Sequence, residues 1–178
     1  MPPVRPYQPS LLRLLHGTMV VLVPVAWLSG FLVYSNHDGR WGRLGWAVPG
    51  DWIDIHGTLG VVLWPLALLF GLYALSIGRA RLNQAANAAA LLGLALAVGS
   101  GKLMDEDWLR NGQLDHIVYS LHLLAWLLIA GSVIWHLAAV MKKGGIALAT
   151  SVFQLPVRNN DFPQDWPKQI KGWFRRTV

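Results

Sequence analysis

Four histidines lie in apolar runs, where histidine is costly. His122 and His136 fall in one such run, residues 115–141, DHIVYSLHLLAWLLIAGSVIWHLAAVM, and are 14 residues apart. On an α-helix, 14 steps of 100° return to within about 40° of the starting azimuth and rise about 21 Å. Both imidazoles therefore leave one side of one helix, one toward each face of a bilayer. His16 and His56 lie in two other apolar runs. An ionisable residue inside a membrane span marks a functional site by default. A buried imidazole can ligate a metal, pass a proton, or simply be a hydrogen-bonded core residue.

The elements that must position these rings follow from composition. Of 178 residues, 54% are hydrophobic and 13% charged, and 10 are tryptophan, a balance that fits an integral membrane protein rather than a soluble domain. There are no cysteines. This excludes disulfides, Fe–S clusters, thiolate zinc sites and thioether-attached haem. The net charge of +6 is carried at the ends of apolar runs. It points to the anionic inner surface of a membrane and not to nucleic acid.

Residues 1–10, with four prolines, form a lead-in. The first apolar run, 11–34, is too long for a signal-peptide core and has no convincing small-residue cleavage site, so it is expected as a retained helix. Pro24 lies in its middle, where a membrane helix tolerates a kink. Residues 35–51 form a loop rich in Gly and Trp, with Trp41, Trp46 and Trp52 suited to the interface. Helix 2 is expected over 52–77, opened by Asp51 and Asp54. Helix 3, over 85–103, is made of Ala, Leu and Gly and reads as a packing element. Helix 4 spans 115–141. The tail, 144–178, is basic and aromatic, and reads either as a segment on the membrane surface or as a disordered tail. The fold class is all-α: an antiparallel bundle of four membrane helices over 11–143.

Orientation follows from Lys and Arg. The N-terminus, the 2–3 connection and the tail hold 11 of the 15, and the other two loops hold seven of the nine acids. Both termini are therefore expected in the cytoplasm.

This topology sorts the histidines by depth. His16 and His136 lie toward the cytoplasmic face, and His56 and His122 toward the outer face. Each pair joins helix 4 to a different neighbour. Two b-type haems need this arrangement, because a six-coordinate iron takes one imidazole from each side of the porphyrin. Glycines beside the ligands would make room for the ring: Gly17, Gly57, Gly60 and Gly131. Bis-histidine ligation favours electron transfer over chemistry at the iron. A zinc or copper site would instead gather three or four ligands at one depth.

His116 lies about 240° around the helix from His122. It reads as a surface imidazole, with proton transfer at the outer site as the functional alternative. His37 is expected in the outer loop. Haem propionates would find Lys102 or Arg110 outside, and Arg13, Arg79 or Arg81 inside. Spacing does not choose among them.

The pattern of one histidine on helix 1, one on helix 2 and two on helix 4 resembles the bacterial cytochrome b561 family, part of the wider group that includes the cytochrome b subunits of nickel-iron hydrogenases and formate dehydrogenases. The resemblance covers roughly residues 10–143 and rests on His16 with Gly17, the DIHGTLG stretch around His56, and His122 with His136. It implies haem iron held by His16 and His136 on the cytoplasmic side and by His56 and His122 on the outer side. It also implies electron exchange between a quinone pool and a second redox partner, in a bacterial plasma or internal membrane. Asp54, Asp115 and His116 are outer candidates for quinone-linked proton exchange. The additional helix usual in hydrogenase-type subunits is missing, which favours the four-helix type. The tail is not part of the family pattern and leaves room for docking to a partner. Two alternatives stand beside a quinone-linked carrier acting alone or as a homodimer. One is a dihaem subunit of a larger redox complex. The other is a non-redox membrane anchor with structural histidines.

Overall fold

The computed structural model describes residues 7–105 and 113–174. Five α-helices and three short 3-10 turns make up the described chain, with no strand among the described residues. The first four helices are α1 (Ser10–His37), α2 (Trp52–Leu75), α3 (Ala85–Asp105) and α4 (Gln113–Ala149). A short α5 (Trp166–Phe174) closes the chain. Each of the first four contains a segment long and apolar enough to cross a membrane. Only 17% of each such segment is buried within the protein, so most of its side chains face outward, as lipid contact requires. Val21, Leu69 and Ile134 are examples.

Local chemistry sets the helix ends. α1 runs three residues beyond its expected end. The carbonyl of Tyr34 accepts from the amides of both Asp38 and Gly39, each at 2.9 Å, and Gly39 supplies the positive φ of 66° that turns the chain away. α1 and α2 continue through Pro24 and Pro65. α2 starts where expected, with the Asp51 carboxylate accepting from the Asp54 amide at 3.1 Å. α4 passes its expected end, interrupted only at Gly145, whose φ of 59° and ψ of −155° are not helical.

α1 packs along α2, α2 along α3, and α3 along α4. The core gathers Met19 and Ala26 of α1, Leu63 of α2, Leu94 of α3 and Ile129 of α4. α3 and α4 meet closely at Gly93, where an added Cβ would stand 3.1 Å from the Ile129 Cα and 2.8 Å from the Ser132 hydroxyl. Large rings span α1 to α4 instead. Trp27 and Trp126 stack with centroids 4.4 Å apart and planes 7° from parallel. Each indole N–H donates to the other residue's carbonyl, both at 3.1 Å.

The tail folds back on the start of α1. No side chain of α1 itself caps its first turn. Asp161, far along the chain, accepts from the Ser10 amide at 2.7 Å and from the Tyr7 hydroxyl. Burial opposes ionisation of Asp161, but hydrogen bonds from Tyr7, Ser10 and Gln169 outweigh it, and its carboxyl stays below the usual value. This joint is complete at neutral pH and is lost as pH falls through that lowered value.

Two substitutions on α3 test the packing. Gly93→Ala pushes α3 off α4 and costs about 1–3 kcal/mol, read as a lower melting temperature in detergent. Gly99→Ala, where nothing stands within 4 Å, leaves the melting temperature unchanged or raises it, because alanine is the better helix former.

Candidate functional site

The bundle brings the four intramembrane histidines together as two pairs. His16 of α1 faces His136 of α4 with ring centroids 6.0 Å apart and planes crossed at 75°. His56 of α2 faces His122 of α4, also at 6.0 Å, with planes crossed at 64°.

Neighbouring side chains fix which nitrogen of three of these rings is free. The Ser29 hydroxyl donates to the Ala26 carbonyl at 2.9 Å, which leaves its oxygen to accept from His56 Nδ1 at 3.0 Å. The Ser100 hydroxyl donates to the Leu96 carbonyl at 2.6 Å and accepts from His122 Nδ1 at 3.0 Å. Asn87 donates its amide to the Arg81 carbonyl at 2.7 Å, so its oxygen faces His136 Nδ1 at 2.9 Å. In each case Nδ1 carries the proton and Nε2 keeps its lone pair. His16 is held differently, stacked on Phe70 at 5.7 Å and 7°.

The serines each precede a glycine, and the glycines matter as much. A Cβ on Gly30 would stand 3.0 Å from His56 Cε1, and one on Gly101 would stand 3.2 Å from His122 Cε1. Ser29–Gly30 on α1 and Ser100–Gly101 on α3 thus make the same seat for the two rings of one pair. Beside this pair is a cavity of about 280 Å³, lined among others by Gly57, Gly60, Trp27, Trp126, Tyr34 and Tyr119. Gly57 and Gly60 have nothing within 4 Å of an added Cβ, so both leave open space there.

These residues suit an iron porphyrin. Two metal–nitrogen bonds of about 2 Å, with half a ring at each end, put imidazole centroids roughly 6 Å apart. Three of the four imidazoles have Nδ1 engaged and Nε2 left to ligate, and imidazole is the ligand type of a b-type haem. The glycine-lined cavity beside His56 and His122 offers space for a macrocycle. No group of three or more His, Cys, Asp or Glu side chains placed to hold a metal ion is found among the described residues.

The description "Prokaryotic cytochrome b561" belongs to the family model that matches residues 7–153. The chain belongs to this family. It is an integral membrane cytochrome b, and the family's chemistry is electron transfer through haem b. No curated protein and no solved structure matches the chain.

Several other expectations met a different structure. Helix 3, expected only to pack, supplies the hydrogen-bond partners of both α4 histidines. Arg13, considered as a propionate partner, is 7% exposed and donates instead to the carbonyls of Gln154 and Pro156. Gly17 faces Val152, whose Cγ2 would lie 3.9 Å from an added Cβ. Gly131 is exposed and does not line the cavity. His37 is the exposed last residue of α1. The side chains of Asp115 and His116, and residue Arg110, lie outside the described residues. Lys102 lines the cavity.

Sequence reasoning passed over Ser29, Ser100 and Asn87. The available signal was a small polar residue inside an apolar span, twice followed by glycine. Ser29→Ala and Ser100→Ala each remove a fixed acceptor from an imidazole and weaken haem binding by about tenfold to a hundredfold. Haem loss to a soluble apoprotein acceptor measures this, and Ser132→Ala, whose hydroxyl bonds only a helix carbonyl, serves as the control.

Proposed function

We propose that the protein carries electrons across a bacterial membrane between two b-type haems. His16 and His136 ligate one near the cytoplasmic face, and His56 and His122 ligate the other near the outer face. The observation that carries this reading is the equal 6.0 Å separation of the two imidazole pairs. When bound, haem b would supply one-electron chemistry, and a pair of histidines holding it would leave no position for other ligands. The chain's own work is to hold each Nε2 in place through Ser29, Ser100, Asn87 and Phe70, and to keep water out of the apolar core. The pairs are separated by the 14-residue rise along α4, about 21 Å. With both termini in the cytoplasm, as the Lys and Arg distribution favours, such a path crosses most of the membrane.

Exchange with a quinone pool belongs, in this reading, at the His56–His122 end. Tyr119 lines the apolar cavity that would hold this haem and lies three residues before His122 on α4. The Tyr119 hydroxyl donates to the Asp38 carboxylate at 2.7 Å, and Asp38 pairs with the exposed Arg40 at 2.8 Å. A quinol that gives up electrons must also give up protons, and this chain of groups leads from the cavity to the surface. Hydrogen bonding from Tyr119 and pairing with Arg40 hold the Asp38 carboxyl below its usual value, so it stays ionised and would pass a proton on to water rather than keep it.

Single substitutions test the assignment. His122→Ala and His136→Ala each remove one haem, and the two residual spectra and midpoint potentials differ. Loss of the same haem from both variants contradicts the pairing. Asp38→Asn keeps both haems but slows their reduction by a short-chain quinol. An unchanged rate removes Asp38 from the proton route.

A further inference from the structure

Residues 154–174 lie beyond the family-matched region, yet they are tied to the segment of α1 that leads to His16. Arg13, three residues before His16, donates to Gln154 and Pro156, the latter at 2.9 Å. Asp161 accepts from the Ser10 amide at 2.7 Å, and the indole of Trp166 donates to the Ser10 hydroxyl at 2.8 Å. The Arg158 guanidinium lies 4.2 Å over the Tyr7 ring. The turn that starts this return, Thr150–Phe153, packs on α1 with Val152 against Gly17, the residue after His16. Within that turn Ser151 is only 2% exposed.

We propose that residues 154–174 are a cap that closes the His16–His136 site toward the aqueous phase, with Arg13 and Asp161 as its latches. A buried arginine that bonds two carbonyls of a returning strand of chain, and a buried aspartate that caps a distant helix, are costly to desolvate and hold only when both sides are in place. They fasten the tail to Tyr7, Ser10 and Arg13, the stretch of chain just before His16. The tail then restricts the approach of water-soluble molecules to the His16–His136 end. This inference rests on the haem assignment proposed above.

The chain's lack of cysteine makes a clean test possible. Ser151→Cys, close in size to the native residue, is introduced into the full-length, haem-loaded protein and treated with a water-soluble maleimide. Leu155→Cys, at a position 90% exposed, reports the uncovered rate. Ser151→Cys is expected to react far more slowly than Leu155→Cys. Adding Asp161→Ala or Arg13→Gln removes roughly 1 kcal/mol of latch and speeds it about fivefold, while Leu155→Cys is unaffected. The second readout is the rate at which ferricyanide, a water-soluble one-electron oxidant that needs no open iron position, oxidises the reduced protein. The haem that is lost in His136→Ala should gain reactivity in the same latch variants, and the other haem should not. Equal alkylation rates for the two cysteines, or no response to either latch substitution, overturn the cap. Faster alkylation without any change at that haem overturns its role in closing the site. If His136→Ala removes no haem, the assignment itself fails, whatever the alkylation rates are.

Discussion

The structure depends on keeping four imidazoles neutral, oriented and paired in an apolar interior. A buried histidine that rotates freely is a poor ligand, and a charged one is unstable there. The bundle meets this constraint with short polar side chains. Ser29 and Ser100 each give their proton to a helix carbonyl and use the remaining lone pairs to accept from an imidazole Nδ1–H. Asn87 does the same with an amide whose other end is held by the Arg81 carbonyl. The outcome is that the two rings of each pair face one another across a gap between α4 and a neighbouring helix. The close α1–α2 and α3–α4 packing and the Trp27–Trp126 stack hold that gap at a fixed width.

The fold was largely legible in the chain. Four long apolar runs with charged ends allow little except four membrane helices, and the 14-residue spacing of His122 and His136 already puts both on one face. The helix ends were less legible. The extra length of α1 depends on Gly39 adopting a positive φ, which the sequence permits but does not announce. The supporting residues were the hardest to see. A serine in a membrane helix usually bonds its own backbone, and Ser132 does so alone. Ser29 and Ser100 make that bond too, and only the neighbouring helix shows that each has a second partner. Helix 3, without a histidine of its own, gave no sign that two imidazoles depend on it.

The tail shows the same limit from the other side. Its composition, basic and aromatic, suits a segment lying free on a membrane surface. What the composition hides is the joint with α1, because Asp161 and Ser10 are 151 positions apart and neither is part of a recognisable motif. α1 has no N-terminal side-chain cap of its own, and the carboxylate that fills the vacancy comes from the far end of the chain. The same joint takes up Arg13, which its closeness in sequence to His16 had made a candidate for a different role. The two ends of the bundle, alike in their histidine pairs, are thereby given different surroundings: a glycine-lined cavity at one and a folded tail at the other.

The most direct test of the central claim is the haem content of the purified protein, measured by pyridine haemochrome against total protein. The account predicts two b-type haems per chain, both low-spin in the oxidised state, as bis-histidine ligation requires. A single haem per chain, or a high-spin signal from either one, would contradict it.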